Sequence, residues 1–505
     1  MEELIQSNPM LLTALISLIL LWSINRIFPK SSSKRKVPPS PSKLPIIGNL
    51  HQLGSLLHRD LHSLAQKHGP LMLLHLGSVP VLIVSSADLA REIFRTHDLI
   101  FADRAIFKAA KKLLYGCKDV GSAPYGEYWR QMRSIIVLQM LSNKRVQSFR
   151  SIREEETALF VNKIRESSGP LDLSAMLADV TNDGIARAAF SIKYSESANG
   201  KKFLRAMLDL TELLGAIHIG DFIPWLAWIS RVNGFDKRID RTAKEMDQVL
   251  ESLIQEREQT QKERNVNHKY GQDFVDIVLQ IHNDQSVDAS IDRDSIKSFC
   301  QDIFTGGTDT ISTALEWAMS EILRHPTVME KLQREVRGIV KQKQEITDDD
   351  VQEMHYLKAV IKEAMRCHPP VPLLAPKIAR KDVQIKGYDI AVGTIVMVNA
   401  WAIGRDPISW DEPEKFMPER FLNSSIDFKG LDFELIPFGS GRRGCPGITF
   451  ATVTMEFVLA NLMQKFDWKL PDGIQPKDLD MSESAGLSVH RALPLLVLAT
   501  RHTTK

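Results

Sequence analysis

Residues Pro437 to Gly447 read P-F-G-S-G-R-R-G-C-P-G and set one cysteine, Cys445, between a glycine-rich loop and the apolar, helix-like run Ile448 to Leu462. Three features of this stretch favour a thiolate. Gly439, Gly441 and Gly444 allow backbone conformations closed to other residues, so successive amides can turn toward the sulfur. Pro446 stands where a first helical turn would begin, which aims a positive helix end at Cys445. Arg442 and Arg443 add positive charge. An isolated cysteine is most often a small buried hydrophobe, but this setting reverses that expectation. No C-x-x-C pair or Cys/His cluster accompanies it, so a four-ligand zinc site lacks its residues.

A second chemical stretch interrupts the longest helical pattern of the chain. From Ile291 to Arg324, apolar residues recur as Ile296, Phe299, Ile303, Ile311, Leu315, Ala318 and Ile322, a stripe expected of core packing. Its centre reads Thr305-Gly306-Gly307-Thr308-Asp309-Thr310. Two adjacent glycines weaken a helix by roughly 1 kcal/mol each relative to alanine. Without side chains they would open a groove, and a loosened ladder frees a carbonyl to accept a bond. Two weaker patterns flank these. Trp129 and Arg133 stand four apart on one helix face, and Glu363 and Arg366 three apart on another. Alone, each means a buried tryptophan beside a snorkelling arginine, or a helix ion pair.

Taken together, the stretches resemble one family. Phe438, Gly441, Arg443, Cys445 and Gly447 fill every fixed place of F-x-x-G-x-R-x-C-x-G, the haem-binding loop of the cytochrome P450 family. Gly306, Gly307, Asp309 and Thr310 are similar to its A/G-G-x-D/E-T motif on the helix crossing the haem's distal face. The resemblance covers almost the whole chain to Arg491 and looks closest to the A-type, 71-clan plant members of specialised metabolism. It implies a mainly α fold with small β-sheets, and a single catalytic domain holding haem b (iron protoporphyrin IX) with Cys445 as the axial iron ligand.

Further roles follow from the resemblance. Trp129, Arg133 and Arg443 would hold haem propionates, for which guanidinium suits because it stays charged and offers a fork of donors. Lys377 stands where the family usually has Arg or His, and a lysine pairs as a point charge, not bidentately. Thr310 would orient dioxygen and its water while Asp309 feeds protons. Glu363 and Arg366, with Arg420 of Pro418-Glu419-Arg420-Phe421, would form a buried network bracing the haem loop. Substrate-facing positions carried over are Phe107, Leu113, Leu213, Ile303, Phe304, Val371, Leu374, Ala485 and Leu487. All are apolar, which implies a hydrophobic small molecule such as a terpenoid, coumarin or alkaloid.

The elements that position these residues sit in 505 residues carrying a net charge of +2, a balance that argues against nucleic acid as the main partner. Cys117, Cys300, Cys367 and Cys445 are too few and scattered for a disulfide framework, which fits a reducing compartment. Met10 to Phe28 is about long enough to cross a bilayer. Glu2 and Glu3 precede it and Arg26, Lys30, Lys34, Arg35 and Lys36 follow, so residues 1–28 are expected to be a signal anchor and not a cleaved peptide. The globular body would then be cytosolic on the endoplasmic reticulum membrane. Residues 29–50 form a basic, proline-rich tether and 51–505 the catalytic domain. Asn423-Ser424-Ser425 formally matches a glycosylation sequon, which a cytosolic domain would not present to the transferase.

Along the body, Leu71 to Leu76 and Val79 to Val84 predict a hairpin around Gly77-Ser78. Asp88 to Thr96, Tyr128 to Gln139 and Val351 to Cys367 predict helices, and Phe101 to Tyr125 a long functional loop. The crowded segment D-F-I-P-W-L-A-W, Asp221 to Trp228, suits either core or a membrane interface.

No G-x-G-x-x-G or P-loop is present, so electrons would come from outside. The resemblance implies an NADPH-cytochrome P450 reductase, with NADPH serving only indirectly, and a cytochrome b-type donor as a further partner. Docking would fall near Arg130, Arg442 and Lys144. Two alternatives stand beside a monooxygenase: a haem-thiolate isomerase or dehydratase needing no reductase, and a haem sensor or carrier without turnover. Retention of Asp309 and Thr310 speaks against both.

Overall fold

The computed structural model describes residues 13, 17, 35–193, 198–216, 218–263, 273–283, 291–341, 343 and 345–503. Almost all of the expected anchor, residues 1–28, lies outside these. Among the described residues no single helix is long and apolar enough to cross a membrane. The second half of the expected tether is docked on the body. Arg35 pairs with Asp382 at 3.0 Å, and the Pro39 carbonyl accepts the Leu73 amide at 2.9 Å.

Strands form where aliphatic residues run together. Leu71–Leu76 (β1) and Val79–Val84 (β2) pair antiparallel with Leu76 opposite Val79, so Gly77 and Ser78 make the turn, as expected. Gly77 adopts φ +58°, and a Cβ there would lie 2.3 Å from the Phe222 carbonyl oxygen. Only glycine therefore lets the segment around Phe222 close on this turn. The other strands, in order, are Asp103–Arg104 (β3), Leu171–Asp172 (β4), Lys377–Ile378 (β5), Val383–Ile385 (β6), Tyr388–Ile390 (β7), Ile395–Val398 (β8), Phe466–Lys469 (β9), Glu483–Ser484 (β10), His490–Arg491 (β11) and Leu496–Arg501 (β12). The largest sheet runs β1-β2-β8-β5-β3, with β2 and β8 parallel; the smaller ones are β4-β12-β9, β6-β7 and β10-β11.

Helices dominate the rest. Those that build the site are Glu127–Ser134 (α1), Arg150–Glu166 (α2), Leu173–Phe190 (α3), Ala198–Gly215 (α4), Phe235–Glu263 (α5), Phe274–Asn283 (α6), Arg293–Gly307 (α7), Asp309–Arg324 (α8), Pro326–Val340 (α9), His355–Cys367 (α10) and Ile448–Lys465 (α11). Their starts are chemically marked. Asp292 caps α7 by accepting the Ser295 amide, Asp172 caps α3 through Ala175, and α9 opens on Pro326.

The predicted helix from Ile291 to Arg324 is thus two helices, α7 and α8, meeting at Thr308. Phe299 and Phe304 on α7 pack with Phe203, Leu250 and Phe274 in one core. Leu315, Met319 and Ile322 on α8 pack with Leu332, Leu357 and Leu459 in another. Other helices also end differently from expectation. Asp88 to Thr96 passes from an α-helical turn, Ala87–Arg91, into a wider π turn, Glu92–Thr96, and α1 does the same over Ile135–Met140. Val351 to Cys367 breaks at Met354, because Thr347 and Asp350 form a capping box that starts a separate short helix, Asp348–Gln352. The segment Asp221 to Trp228 divides between its two readings. Phe222 and Ile223 are buried against β1 and β2, whereas Trp225 and Trp228 are exposed.

Arg366 and Glu363 on α10 are fully buried and paired bidentately, both bonds at 2.8 Å. Arg366 also donates to the carbonyls of Gly404, Pro413 and Lys415, while Glu363 accepts the Met417 amide at 2.7 Å and Arg420 Nε at 3.1 Å. Removing one partner of such a pair strands a buried charge, at about 3–5 kcal/mol. Arg366→Met is therefore expected to leave little haem-loaded protein, read as haem absorbance per mole of protein alongside a thermal melt. Wild-type loading would refute the bracing role.

Candidate active site

The cysteine loop is held by its own backbone. Cys445 donates its amide to the Phe438 carbonyl at 2.9 Å, and the Gly447 amide points at Cys445 Sγ at 3.3 Å. Gly441, at φ +71°, crosses so near Phe94 that a Cβ would fall 2.5 Å from its carbonyl oxygen. Helix α11 starts at Ile448 with Gly447 as its cap, so Pro446 lies in the turn before the helix and not in its first turn.

Arg442 and Arg443 do not act on the sulfur as the sequence suggested. Arg442 pairs with Asp98 and donates to the Tyr125 hydroxyl. Arg443 turns away, donating to the carbonyls of Ala102, Val120 and Ala123 and lying over the Trp129 ring at 4.2 Å. The cation that reaches Cys445 is Arg133 of α1, which donates to the Gly444 carbonyl at 2.6 Å. Burial pushes the free thiol up; the Gly447 amide and Arg133 oppose it. A metal binding there would displace the thiol proton.

Above this loop the fold gathers cations with few counter-charges. In the β3-β5 pairing Arg104 stands directly opposite Lys377, and like charges so placed repel. Lys377 is buried; its Nζ donates to the Phe101 carbonyl at 3.1 Å and sits 5.0 Å from the Phe94 ring centre. Burial and the neighbouring Arg104 hold it well below the usual lysine range. Burial, with Arg133 nearby, brings Arg104 down to about 10, and burial with Arg104 nearby brings Arg443 to about 9. Arg133 is lowered by burial too. With Lys377 and Arg443 buried and Arg104 and Arg133 partly so, this positive excess fits an anionic partner, and the two propionates of a haem would meet that need.

Arg104 belongs to this group although no motif marked it. It lies in the aperiodic stretch after Phe101, and only strand pairing reveals its partner. Asp302 and Asp119 carry no motif either, since their partners are backbone amides brought to them by the fold. Asp302 of α7 accepts the Val120 amide at 2.7 Å, and Asp119 the Ser122 amide at 2.8 Å. The Val120 carbonyl in turn receives Arg443 and, at 3.0 Å, Trp129 Nε1. Burial raises both carboxyls, Asp302 strongly and with repulsion from Asp119 adding to it.

At the helix break, Thr310 Oγ1 donates to the Gly306 carbonyl at 2.6 Å, and Thr308 Oγ1 to Phe304 at 2.9 Å. The two glycines serve different neighbours. A Cβ on Gly306 would meet nothing within 4 Å, so the space beside this residue is open. On Gly307 it would lie 2.7 Å from Ile185 Cδ1, so that glycine admits α3 to the core. Asp309 is paired with His490 at 3.0 Å. This pairing, with burial opposing it, holds the carboxyl below the usual range.

The apolar candidates separate as well. Phe107 packs near Phe222, with ring centres 5.9 Å apart. Leu374 adopts φ +52° beside Gly439, and Val371 is half-buried. Ala485 and Leu487 form the tip of the β10-β11 hairpin, which Gly215 of α4 admits: a Cβ there would be 2.6 Å from the Leu487 nitrogen. Ile303, Leu113 and Leu213 are buried in the core around α7. Phe304 does not meet the expectation of a substrate contact. It is wholly buried, stacked on Phe190 at 5.3 Å and edge-on to Phe203 at 4.6 Å in the core between α3, α4 and α7.

A helical body with small sheets, one cysteine on a glycine-rich loop and a long helix broken beside Gly306-Gly307 define a haem-thiolate monooxygenase. The chain belongs to the cytochrome P450 family, whose model matches residues 38–497. It is 57% identical over 503 residues to "Cytochrome P450 71A8" of Mentha piperita, covering 99% of this chain and 97% of that one. It is 48% identical to the "Tabersonine/lochnericine 19-hydroxylase" of Catharanthus roseus, over 93% of this chain and 94% of that one. It is 46% identical to the "Norfluorocurarine oxidase" of a Strychnos species, over 98% and 99%. A zebra fish cytochrome P450 solved with abiraterone superposes with a TM-score of 0.74 at 25% identity, covering 88% of this chain and 99% of that one.

Losing one charge-assisted bond from the cation group should cost about 1.5–3 kcal/mol of haem binding. Lys377→Met is therefore expected to release haem faster to an apo-globin acceptor, while Lys377→Arg holds it at least as well as wild type. Equal rates for all three would remove Lys377 from the haem contacts.

Proposed function

We propose that this enzyme inserts one oxygen atom from dioxygen into a hydrophobic plant specialised metabolite, an alkaloid, terpenoid or coumarin. The observation that carries this is the conjunction of Cys445 on its loop with the Gly306–Thr310 break in the helix, and the resemblance adds Phe107, Ile303, Val371, Leu374 and Leu487 as apolar substrate-facing positions. The oxidase and hydroxylase names of two relatives add weight to an alkaloid skeleton.

Cys445 would hold the iron, and Arg104, Arg133, Arg443 and Lys377 the propionates, with Trp129 and Phe438 fixing the arginine and the cysteine amide. The haem, once bound, supplies dioxygen activation with electrons drawn from NADPH, and thiolate donation favours O–O cleavage. The chain's own part is protonic and steric. Thr310 Oγ1, parked on the Gly306 carbonyl, can turn its hydroxyl into the groove, and Asp309 holds the next proton. The apolar lining excludes water and orients the carbon to be attacked.

Electrons would arrive from an NADPH-cytochrome P450 reductase, with a cytochrome b-type donor as a second source. Arg130 and Lys144 are exposed and available to such a partner, whereas Arg442 is engaged by Asp98. A single-pass anchor over residues 1–28 in the endoplasmic reticulum membrane, with a cytosolic catalytic domain, agrees with the charge asymmetry around Met10 to Phe28. The exposed Trp225 and Trp228 suit the same bilayer surface.

The test is mass-resolved product analysis of membranes holding this protein and a reductase, fed alkaloids, terpenoids and coumarins. A product gaining oxygen or losing two hydrogens only with NADPH is expected; rearranged isomers without NADPH would overturn the oxygenase reading. Cys445→Ala should lose the thiolate-type absorption of the reduced carbon monoxide complex, and retention would remove Cys445 as ligand. Thr310→Ala should keep that absorption yet divert about tenfold more electrons to peroxide. Full coupling in this variant would eliminate the relay.

A further inference from the structure

Asp309 is clasped by a residue that no motif singles out. His490 on β11 lies across the first turn of α8, with Nε2 3.0 Å from Asp309 Oδ1 and Nδ1 2.8 Å from Thr313 Oγ1. The hydroxyl hydrogen of Thr313 is directed to the Asp309 backbone carbonyl at 2.7 Å, so Oγ1 accepts a bond from Nδ1–H. A neutral ring protonated at Nδ1 would turn its Nε2 lone pair toward a carboxylate, setting two acceptors against each other. The contact is satisfied only when a proton lies between Nε2 and Oδ1. The pair thus holds one transferable proton next to Thr310.

The surroundings agree with this count. Asp309 and Glu316, both on α8, favour the charged ring against burial, and the ring is raised above its ordinary 6.5. Glu316 is itself bonded by the Ser174 hydroxyl at the start of α3. Arg491, the neighbouring cation on β11, faces elsewhere, toward Ser320 Oγ at 3.3 Å and the Trp317 ring. The Ser488 hydroxyl lies beside Asp309 without a hydrogen bond of normal geometry. The His490 side chain is 38% exposed, so the ring can exchange protons with water.

We propose that His490 is the positioning and proton-recharging residue of the distal relay, restoring to Asp309 each proton that Asp309 passes into the groove. The proton moves from Nε2 to Oδ1, the ring keeps Nδ1–H on Thr313, and the neutral ring is recharged from water; no electrons move. This rests on the assignment of Asp309 and Thr310 as the relay.

Two readouts test it in the full-length holoprotein between pH 6 and 9: product formed per NADPH, and the C–O stretching frequency of the reduced carbon monoxide complex, which needs no turnover. Wild type should show a one-proton transition above 6.5 in both. His490→Gln keeps hydrogen-bonding groups without a titrating ring. It is expected to abolish the transition and lower coupling about tenfold. Wild-type pH response and coupling in this variant would overturn the proposal. Thr313→Val, which removes the acceptor of Nδ1–H, should move the midpoint down even if the glutamine variant fails to load haem, and an unmoved midpoint would also overturn it. Asp309→Asn separates the two levels. Uncoupling there with intact coupling in His490→Gln sinks the histidine role alone, whereas intact coupling in Asp309→Asn sinks the relay and this proposal with it.

Discussion

The segment from Gly404 to Arg420 has almost no ladder of its own, and the pair formed by Glu363 and Arg366 takes the place of one. The Arg366 guanidinium is divided between Glu363 and three backbone carbonyls, and Glu363 collects the Met417 amide and Arg420. A buried ion pair gains little over apolar packing by Coulomb attraction alone, because both charges lose their water. Here its use is geometric. It satisfies the carbonyls of Gly404 and Pro413 and shares that of Lys415 with Arg420.

The Cys445 loop and the helix break are two irregular pieces set in regular scaffolds. The break between α7 and α8 falls where the molecule changes from one hydrophobic core to the other. Each half is held by its own packing, so the loosened turn between them can bend without unfolding the helix. Thr308 and Thr310 then meet the carbonyls of Phe304 and Gly306, and the polar groups released at the break stay bonded while facing the cleft.

Charge is distributed with equal economy. Arg104, Arg133, Arg443 and Lys377 are brought under one roof with only the partial compensation of Asp98, Asp103 and Asp119. In the protein alone these cations repel one another, and an anionic cofactor relieves them. Binding of an anionic group among them would thereby be coupled to the stability of the β3-β5 edge and of the loop that carries Val120.

Much of this was legible in the chain. Local spacing is enough for a hairpin around Gly77-Ser78, for the stripe along α7 and α8, for Glu363 beside Arg366 and for Trp129 beside Arg133, because each is a matter of period and neighbours within a turn. The Cys445 loop was legible for a similar reason: its glycines and prolines dictate backbone shape wherever they occur. Tertiary structure alone decided that Gly306 borders open space while Gly307 receives Ile185, and that Phe304 belongs to the core. It also set Arg104 opposite Lys377, turned Arg442 and Arg443 away from the sulfur, and brought Arg133 to it. Thr313 and His490 meet although 177 positions apart, with Asp309 on the same ring. Such pairings depend on register and on which helix face meets which neighbour, and those are settled only when distant elements share one core.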